Sequence, residues 1–399
     1  MNPQLPRRDL LSAGAIAAGL ALLNDAVGAD NPAANVADRT ASTKISAVKP
    51  FRVGTKAYIK VETNHKVFGW GEVTGLDPNV ACVLANSLFE LLDGENPTRI
   101  EHLWQKVYRA HRNIRGGSFL THVLSAIDCA LWDITGKLWG VPVYRLLGGP
   151  VRDYVRLYPT PKAFKTGTGG PHPFSGGPKD VEELVKRIHD TRKRVGPDGA
   201  VMFDAHCAVP PATLIQLAAA LKPYDVLFIE EPAVPGNIEV FKRLKQAIRV
   251  PLASGERDRT IWGFIPYLQE RCLDILQPDC GHTGGISQMR KIAALAETYM
   301  TPLAPHCTCS ELGLSASLHA TLATPLFLIH EAYLDGHLMP PGVARPSYTI
   351  NADGNALPPT APGLGVEVDE TMFEKVNADP KRQYKWPHPT YQDGSVRDY

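Results

Sequence analysis

The sequence predicts an α/β protein, a TIM-type (β/α) barrel with a small α+β domain before it, and three observations lead there. From residue 151 onward, short apolar runs alternate with segments of helical length, the texture of parallel strands joined by crossover helices. Asp204, Glu230, Glu256, Asp279, His306 and Glu331 each stand at or just after the end of such a run, at intervals of 26, 26, 23, 27 and 25 residues. One βα unit of a barrel takes about that many residues, and strand ends converge on one mouth, whereas a doubly wound sheet would spread these side chains along an edge. Finally, 399 residues suit one large barrel with an appendage.

Composition removes other classes. With 44% hydrophobic and 21% charged residues the chain is an ordinary globular one, not disordered, collagen-like or coiled-coil. Its formal net charge of +1, with no run of like charges, offers no footprint for nucleic acid. Seven cysteines without paired CxxC spacing indicate neither a disulfide framework nor a zinc ribbon.

In chain order, Arg7-Arg8 precedes an almost uncharged run over 12–23 and the small residues Val27-Gly28-Ala29. That combination predicts a twin-arginine signal over 1–29, export to the periplasm and no membrane span once the signal is removed; 30–44 reads as a linker. Alternating apolar and polar residues over 45–62 and 66–73, with Asn64-His65 between them, predict an antiparallel hairpin. Helices are expected over 78–93, 98–111 and 118–138, the last with Leu120, Val123, Leu124, Ile127, Leu131 and Ile134 at helical spacing. Strands followed by helices make 45–150 an α+β capping domain, closed by Gly148-Gly149-Pro150. The barrel then occupies 151–340, with strands at 154–158, 200–203, 226–229, 251–254, 275–277, 301–304 and 327–329. Helices are expected at 180–195, 211–221, 237–247, 260–270 and 285–299, and 341–399 reads as a C-terminal segment returning to the cap.

The chemistry follows from what meets at the mouth. Asp204, Glu230 and Glu256 end three consecutive strands, and three converging carboxylates repel unless a cation joins them. A hard dication such as Mg²⁺ suits carboxylate oxygens. Within Ile229-Glu230-Glu231-Pro232 the metal falls to Glu230, with Glu231 behind it. Asp279 and His306 end the next two strands, and a carboxylate beside an imidazole fixes its tautomer and prepares a general base. His206, two residues after Asp204, would face the same side of an extended strand and could donate a proton to a leaving hydroxyl. Glu331 is either a substrate contact or a buried structural acid. Cys207, Cys307 and Cys309 read as packing residues, since soft ligands do not match the three carboxylates.

These residues resemble the enolase superfamily, in its mandelate racemase-like branch. The strings that carry the resemblance are Gly69-Trp70-Gly71-Glu72, Ala126-Ile127-Asp128-Cys129-Ala130-Leu131-Trp132-Asp133-Ile134, Leu146-Leu147-Gly148-Gly149, Phe228-Ile229-Glu230-Glu231-Pro232, Gln277-Pro278-Asp279 with Gly284-Gly285-Ile286, and Pro362-Gly363-Leu364-Gly365. The resemblance implies a capping α+β domain over a modified (β/α)7β barrel, one Mg²⁺ on Asp204, Glu230 and Glu256, and removal of a proton α to a carboxylate by His306 with Asp279. It also implies a homo-oligomer. Asp204-x-His206, Arg115-Gly116-Gly117 and Ala304-Pro305-His306-Cys307 look most like the sugar-acid dehydratases of the galactonate type. There the histidine matching His206 expels the 3-hydroxyl and the glutamate matching Glu331 touches the substrate; Lys165 and Arg115 are the further substrate-binding candidates.

The chain departs from the racemases at one telling place. Those enzymes carry Lys-x-Lys on the second barrel strand, and here Lys165 fits the first position while Gly167 fills the second. Glycine cannot take a proton, so two-base racemisation loses a base, whereas β-elimination needs one base and one acid. The expected partner is therefore a small sugar acid, dehydrated to a 2-keto-3-deoxy acid. A racemase or epimerase, or a non-catalytic exported sugar-acid-binding relative, stands as the alternative. The interval from Tyr158 to Lys165 leaves no room for a first barrel helix, and a Gly/Pro-rich loop follows at 167–178.

Overall fold

The computed structural model describes residues 42–168, 177–386, 390 and 393–396. The expected signal, most of the linker and most of the 167–178 loop lie outside the described residues.

The capping domain opens with strands β1 (Ile45–Val53), β2 (Lys56–Thr63) and β3 (Phe68–Val73), an antiparallel sheet in that order. The expected single strand over 45–62 is in fact two, because Gly54 takes a left-handed φ of 65° and the chain turns at Gly54-Thr55. Three helices follow: α1 (Pro78–Leu92), α2 (Ile100–Ala110) and α3 (Ser118–Trp139). Helix α3 is buried on nearly all sides because the cap sheet covers one face and the barrel the other. It lies directly on β3, and the Gly-Trp-Gly string explains how. A Cβ at Gly69 would sit 2.0 Å from the Ala130 carbonyl oxygen, and one at Gly71 would sit 1.9 Å from that of Ala126. Only glycine permits so close an approach.

After the short α4 (Val143–Leu146) come β4 (Leu157–Tyr158) and β5 (Ala163–Gly167), joined by a four-residue turn with no helix between. The regular units are then α5 (Pro178–Val195), β6 (Ala200–Asp204), α6 (Pro211–Ala220), β7 (Val226–Glu230), α7 (Ile238–Ala247), β8 (Leu252–Ser254), α8 (Thr260–Glu270) and β9 (Ile275–Leu276). Strands β5 to β9 form one parallel sheet in sequence order. Two further expected strands are reduced. Over 301–304 only Leu303 pairs, with Leu276 and Phe327, and over 327–329 the ladder starts late, as β10 (His330–Glu331) parallel to β4. Side-chain packing rather than continuous pairing carries this arc: Tyr158, Met202, Phe228, Ala253, Ile275, Ala304 and Ile329 fill the barrel centre.

Between β9 and β10 lie α9 (Cys280–Thr283), α10 (Gly285–Thr298) and α11 (Glu311–Leu322). The C-terminal part adds an antiparallel pair, β11 (Ala344–Pro346) and β12 (Val366–Val368), and α12 (Phe373–Ala378). Helix α12 docks on the cap: the Phe373 ring meets Tyr58 and Trp70 edge-on at 5.9 and 6.3 Å. Buried polar bonds tie the two domains together. Glu72 accepts from the backbone N–H groups of Ser310 and Gly313, Lys56 donates to the Thr308 carbonyl, and Asp128 accepts from Ser287 N. Among the described residues no helix is long and apolar enough to cross a membrane.

Candidate active site

The strand ends meet around Lys165. Its Nζ, projecting from β5, lies 2.6 Å from Glu230 Oε1, 2.9 Å from Glu331 Oε1 and 3.2 Å from Asp204 Oδ2. Burial alone would strip its proton, but the three carboxylates outweigh burial and hold the ammonium well above its ordinary range. Glu230 answers in the opposite sense. Burial, and then Asp204, Glu331 and Glu256 against the help of Lys165, push its carboxyl well above the usual carboxylate range. Its Oε2 is buried with no hydrogen-bond partner among the described residues.

On the far side of the mouth His306 Nδ1 donates to Asp279 Oδ2 at 2.6 Å, which leaves Nε2 facing the cavity, 3.8 Å from Glu256 Oε2 and 3.6 Å from Glu331 Oε2. Burial opposes a charge on His306, yet Glu256, Glu331 and Asp279 together hold it well above the ordinary imidazole range. Asp279 is held down in turn, burial being overcome by His282, His306 and the N–H of Gly281.

His206 reaches the mouth by a route the strand pattern did not foresee. Strand β6 ends at Asp204, and His206 and Cys207 adopt left-handed φ values of 46° and 55°. The histidine therefore enters by a strained turn, not by strand alternation. The turn is held by Asp204 Oδ1, which accepts from His206 N at 2.8 Å, and His206 Nε2 stands 3.7 Å from Glu231 Oε2. Glu231, itself at φ 44°, is gripped by the Arg257 guanidinium at 2.6 and 2.9 Å. Burial and Glu256, working against Arg257, push its carboxyl up to about 7.

Each expected site residue can now be placed. Lys165, Asp204, Glu230 and Glu331 form one cluster, and His306, Asp279 and Glu256 the opposite wall. Arg115 stands apart, exposed on the turn before α3, and among the described residues no ion pair joins it to the carboxylates. Among the described residues two triplets of side chains bring ligating atoms within 4.8 Å of one another: Asp279, His282 and His306, and His206, Glu231 and Glu256. The expected trio Asp204, Glu230 and Glu256 is split between Lys165 and the His306 wall. Sequence reasoning missed Arg257, which directly follows Glu256, and Tyr333, whose hydroxyl donates to Glu331 at 3.1 Å. Tyr333 stands two residues past Glu331, a spacing that returns a side chain to the same face and could have pointed to it.

The donor chemistry fits a hard divalent cation. The Asp204, Glu230 and Glu256 oxygens are hard ligands, one ammonium leaves their charge in excess, and Glu230 Oε2 is an acceptor with nothing to accept from.

Comparison with known proteins decides the family. Residues 35–148 match the mandelate racemase/muconate lactonizing enzyme N-terminal domain, and residues 153–372 match the enolase C-terminal domain-like family. The chain belongs to the mandelate racemase/muconate lactonizing enzyme family of the enolase superfamily. Within that family it is 35% identical over 388 residues to a D-galactonate dehydratase from Ralstonia pickettii, covering 89% of this chain and 100% of that one. Among solved structures of the superfamily, a mandelate racemase/muconate lactonizing enzyme-like protein from Rubrobacter xylanophilus superposes with a TM-score of 0.77 at 26% identity, over 84% of this chain and 97% of the other. The 3,6-anhydro-D-galactonate cycloisomerase from Zobellia galactanivorans gives 0.75 at 29% identity, over 84% and 99%. The family's capped barrel is thus the fold of this chain.

Proposed function

We propose that the protein is a Mg²⁺-dependent dehydratase that removes water from an aldonic acid. One observation carries the reading: among the described residues His306, hydrogen-bonded to Asp279, is the base that faces the mouth, and Gly167 stands where the resembled racemases carry their second lysine. A Cβ at residue 167 would lie 2.5 Å from the Asp204 carbonyl oxygen, so no larger side chain fits there. Similarity to D-galactonate dehydratases supports the same choice.

Asp204, Glu230 and Glu256 would hold the Mg²⁺, which when bound draws electron density from the substrate carboxylate and acidifies the C2 proton. Lys165 offers the carboxylate a fixed ammonium. With the charge of Glu256 compensated by a bound cation and that of Glu331 by Lys165, the pull that keeps a proton on His306 is reduced. Its Nε2 can then take the C2 proton, while Asp279 fixes the tautomer and steadies the imidazolium that forms. His206, on its turn at the edge of a cavity of ≈ 250 Å³ lined also by Lys165, Thr166 and Gly167, gives a proton to the departing C3 hydroxyl. The enol so formed tautomerises to a 2-keto-3-deoxy acid. Glu331, shared between Lys165 and the His306 side, binds a substrate hydroxyl. The Arg7-Arg8 segment supports export to the periplasm as the setting for this chemistry.

Incubating the Mg²⁺-loaded protein with a panel of aldonic and uronic acids, with keto-acid detection, tests the reading. Keto acid from at least one aldonate is expected. In deuterated buffer, label at C2 without loss of water would instead show an epimerase.

A further inference from the structure

Two carboxylates bracket the ring of His306, and one further side chain touches the residues that carry both. Asp279 Oδ2 accepts the Nδ1 hydrogen of His306 at 2.6 Å, and Glu256 Oε2 stands 3.8 Å from its Nε2. His282, from α9, is buried 5.9 Å from the His306 ring, centre to centre. Its Nδ1 is 3.2 Å from the Glu256 carbonyl oxygen and 3.6 Å from Asp279 Oδ2. A carbonyl can only accept, so this Nδ1 carries the hydrogen. At 3.6 Å the carboxylate gains no second hydrogen bond, but it lies in the field of that N–H dipole. His282 Nε2 has no hydrogen-bond partner among the described residues, so the polar hold of this ring on the site runs through Nδ1.

The cap fixes this ring in place. His122, near the start of α3, is buried and stacked on His282 with the rings 4.2 Å apart and 9° from parallel. It is anchored in turn by its Nδ1, which donates to the Thr74 carbonyl at 2.8 Å. The loop after β3 closes the edge of the stack. A Cβ at Gly75 would lie only 3.3 Å from His282 Nε2 and 3.3 Å from His122 Cε1, so the backbone there leaves neither ring room to tip. Held on one face, along one edge and at Nδ1, His282 is itself rigid enough to orient a neighbour.

We propose that His282 is a positioning residue for the base. Its Nδ1–H holds the Glu256 carbonyl and the Asp279 carboxylate in the arrangement that aims His306 Nε2 at the C2 proton, and the stacked His122 makes that aim depend on the seated cap. The kinetic part rests on the dehydratase reading. Two variants pull donor and ring apart: His282→Phe keeps the stacked ring and donates nothing, whereas His282→Asn loses the ring but places an amide N–H where Nδ1 was. Both are compared with the Mg²⁺-loaded wild type on the aldonic acid that the wild type turns over best. His282→Phe is expected to lower kcat by about tenfold or more with KM within about twofold, because the side chain touches no substrate and a misaimed reacting group is slow. His282→Asn is expected to return to within about threefold of the wild-type kcat. The proton NMR signal of the His306 Nδ1 hydrogen, read without substrate, should shift in His282→Phe and stay in place in His282→Asn. An Asn variant as slow as the Phe variant would make the stack responsible and overturn the proposal. So would a wild-type kcat in His282→Phe, a loss confined to KM, or an unmoved Nδ1 signal. A wild type that acts on no aldonic acid defeats the dehydratase reading, while the NMR comparison still decides whether His282 orients the pair.

Discussion

At Lys165 a single ammonium meets three carboxylates within 3.2 Å, and each of those carboxylates ends or follows a different strand. Lys165→Met should therefore leave Asp204, Glu230 and Glu331 uncompensated. In metal-free urea unfolding we expect a loss of about 3–5 kcal/mol, part of it regained with Mg²⁺, and an undiminished midpoint would mean that the carboxylates hold protons instead. His306→Asn removes the base while keeping a polar group beside Asp279. Turnover and C2 deuterium exchange should both fall by roughly 10²–10⁴-fold with the melting temperature little changed. His206→Asn separates the two halves of the reaction: C2 exchange persists and keto-acid release stops. Keto-acid release at the wild-type rate would remove His206 from the mechanism.

Among the elements, β3 and α3 are in contact because residues 69 and 71 lack side chains. Gly71→Ala would drive a methyl into the Ala126 carbonyl, and forcing extra volume into packed structure costs about 1–3 kcal/mol. A melting point lower by several degrees is expected, and an unchanged one would show that α3 can slide away. Such elements were legible where periodicity was long, as in α3, whose apolar residues recur at helical spacing over 22 residues. Legibility failed where pairing gave way to packing. Leu303 and Phe327 lie in apolar runs that look like full strands, but around them the barrel closes through side chains in its centre. The site shows the same division. Regular spacing singled out Asp204, Glu230, Glu256, Asp279, His306 and Glu331, because one unit of the barrel repeats. It could not reveal the left-handed turn that delivers His206, nor the grip of Arg257 on Glu231, since both depend on contacts between strands rather than on period.

For the whole molecule, two buried histidines make one part of the stability sensitive to acid. Burial pushes His319 and His330 down to about 4, so both are neutral when folded, whereas the unfolded chain takes up protons near pH 6.5. Between those values the unfolded state binds more protons. The contribution of these two histidines is therefore complete above about pH 6.5 and is lost as pH falls toward 4, by about 2 kcal/mol each at pH 5, while Glu231, raised to about 7, works in the opposite sense over the same range. Urea midpoints of the wild type and of His319→Asn at pH 7 and 5 would register this: the variant should lose less stability than the wild type between the two pH values, and an equal loss in both would refute it. The two domains should unfold together in that experiment, given how they are joined. Glu72 and Lys56, both from the cap sheet, fasten the segment Thr308–Ser310 immediately past His306. Chimaeras that graft one relative's cap onto another's barrel therefore exchange more than recognition loops: unless the acid and the lysine travel with a matching serine, the recombinant inherits a base whose footing belongs to a different parent.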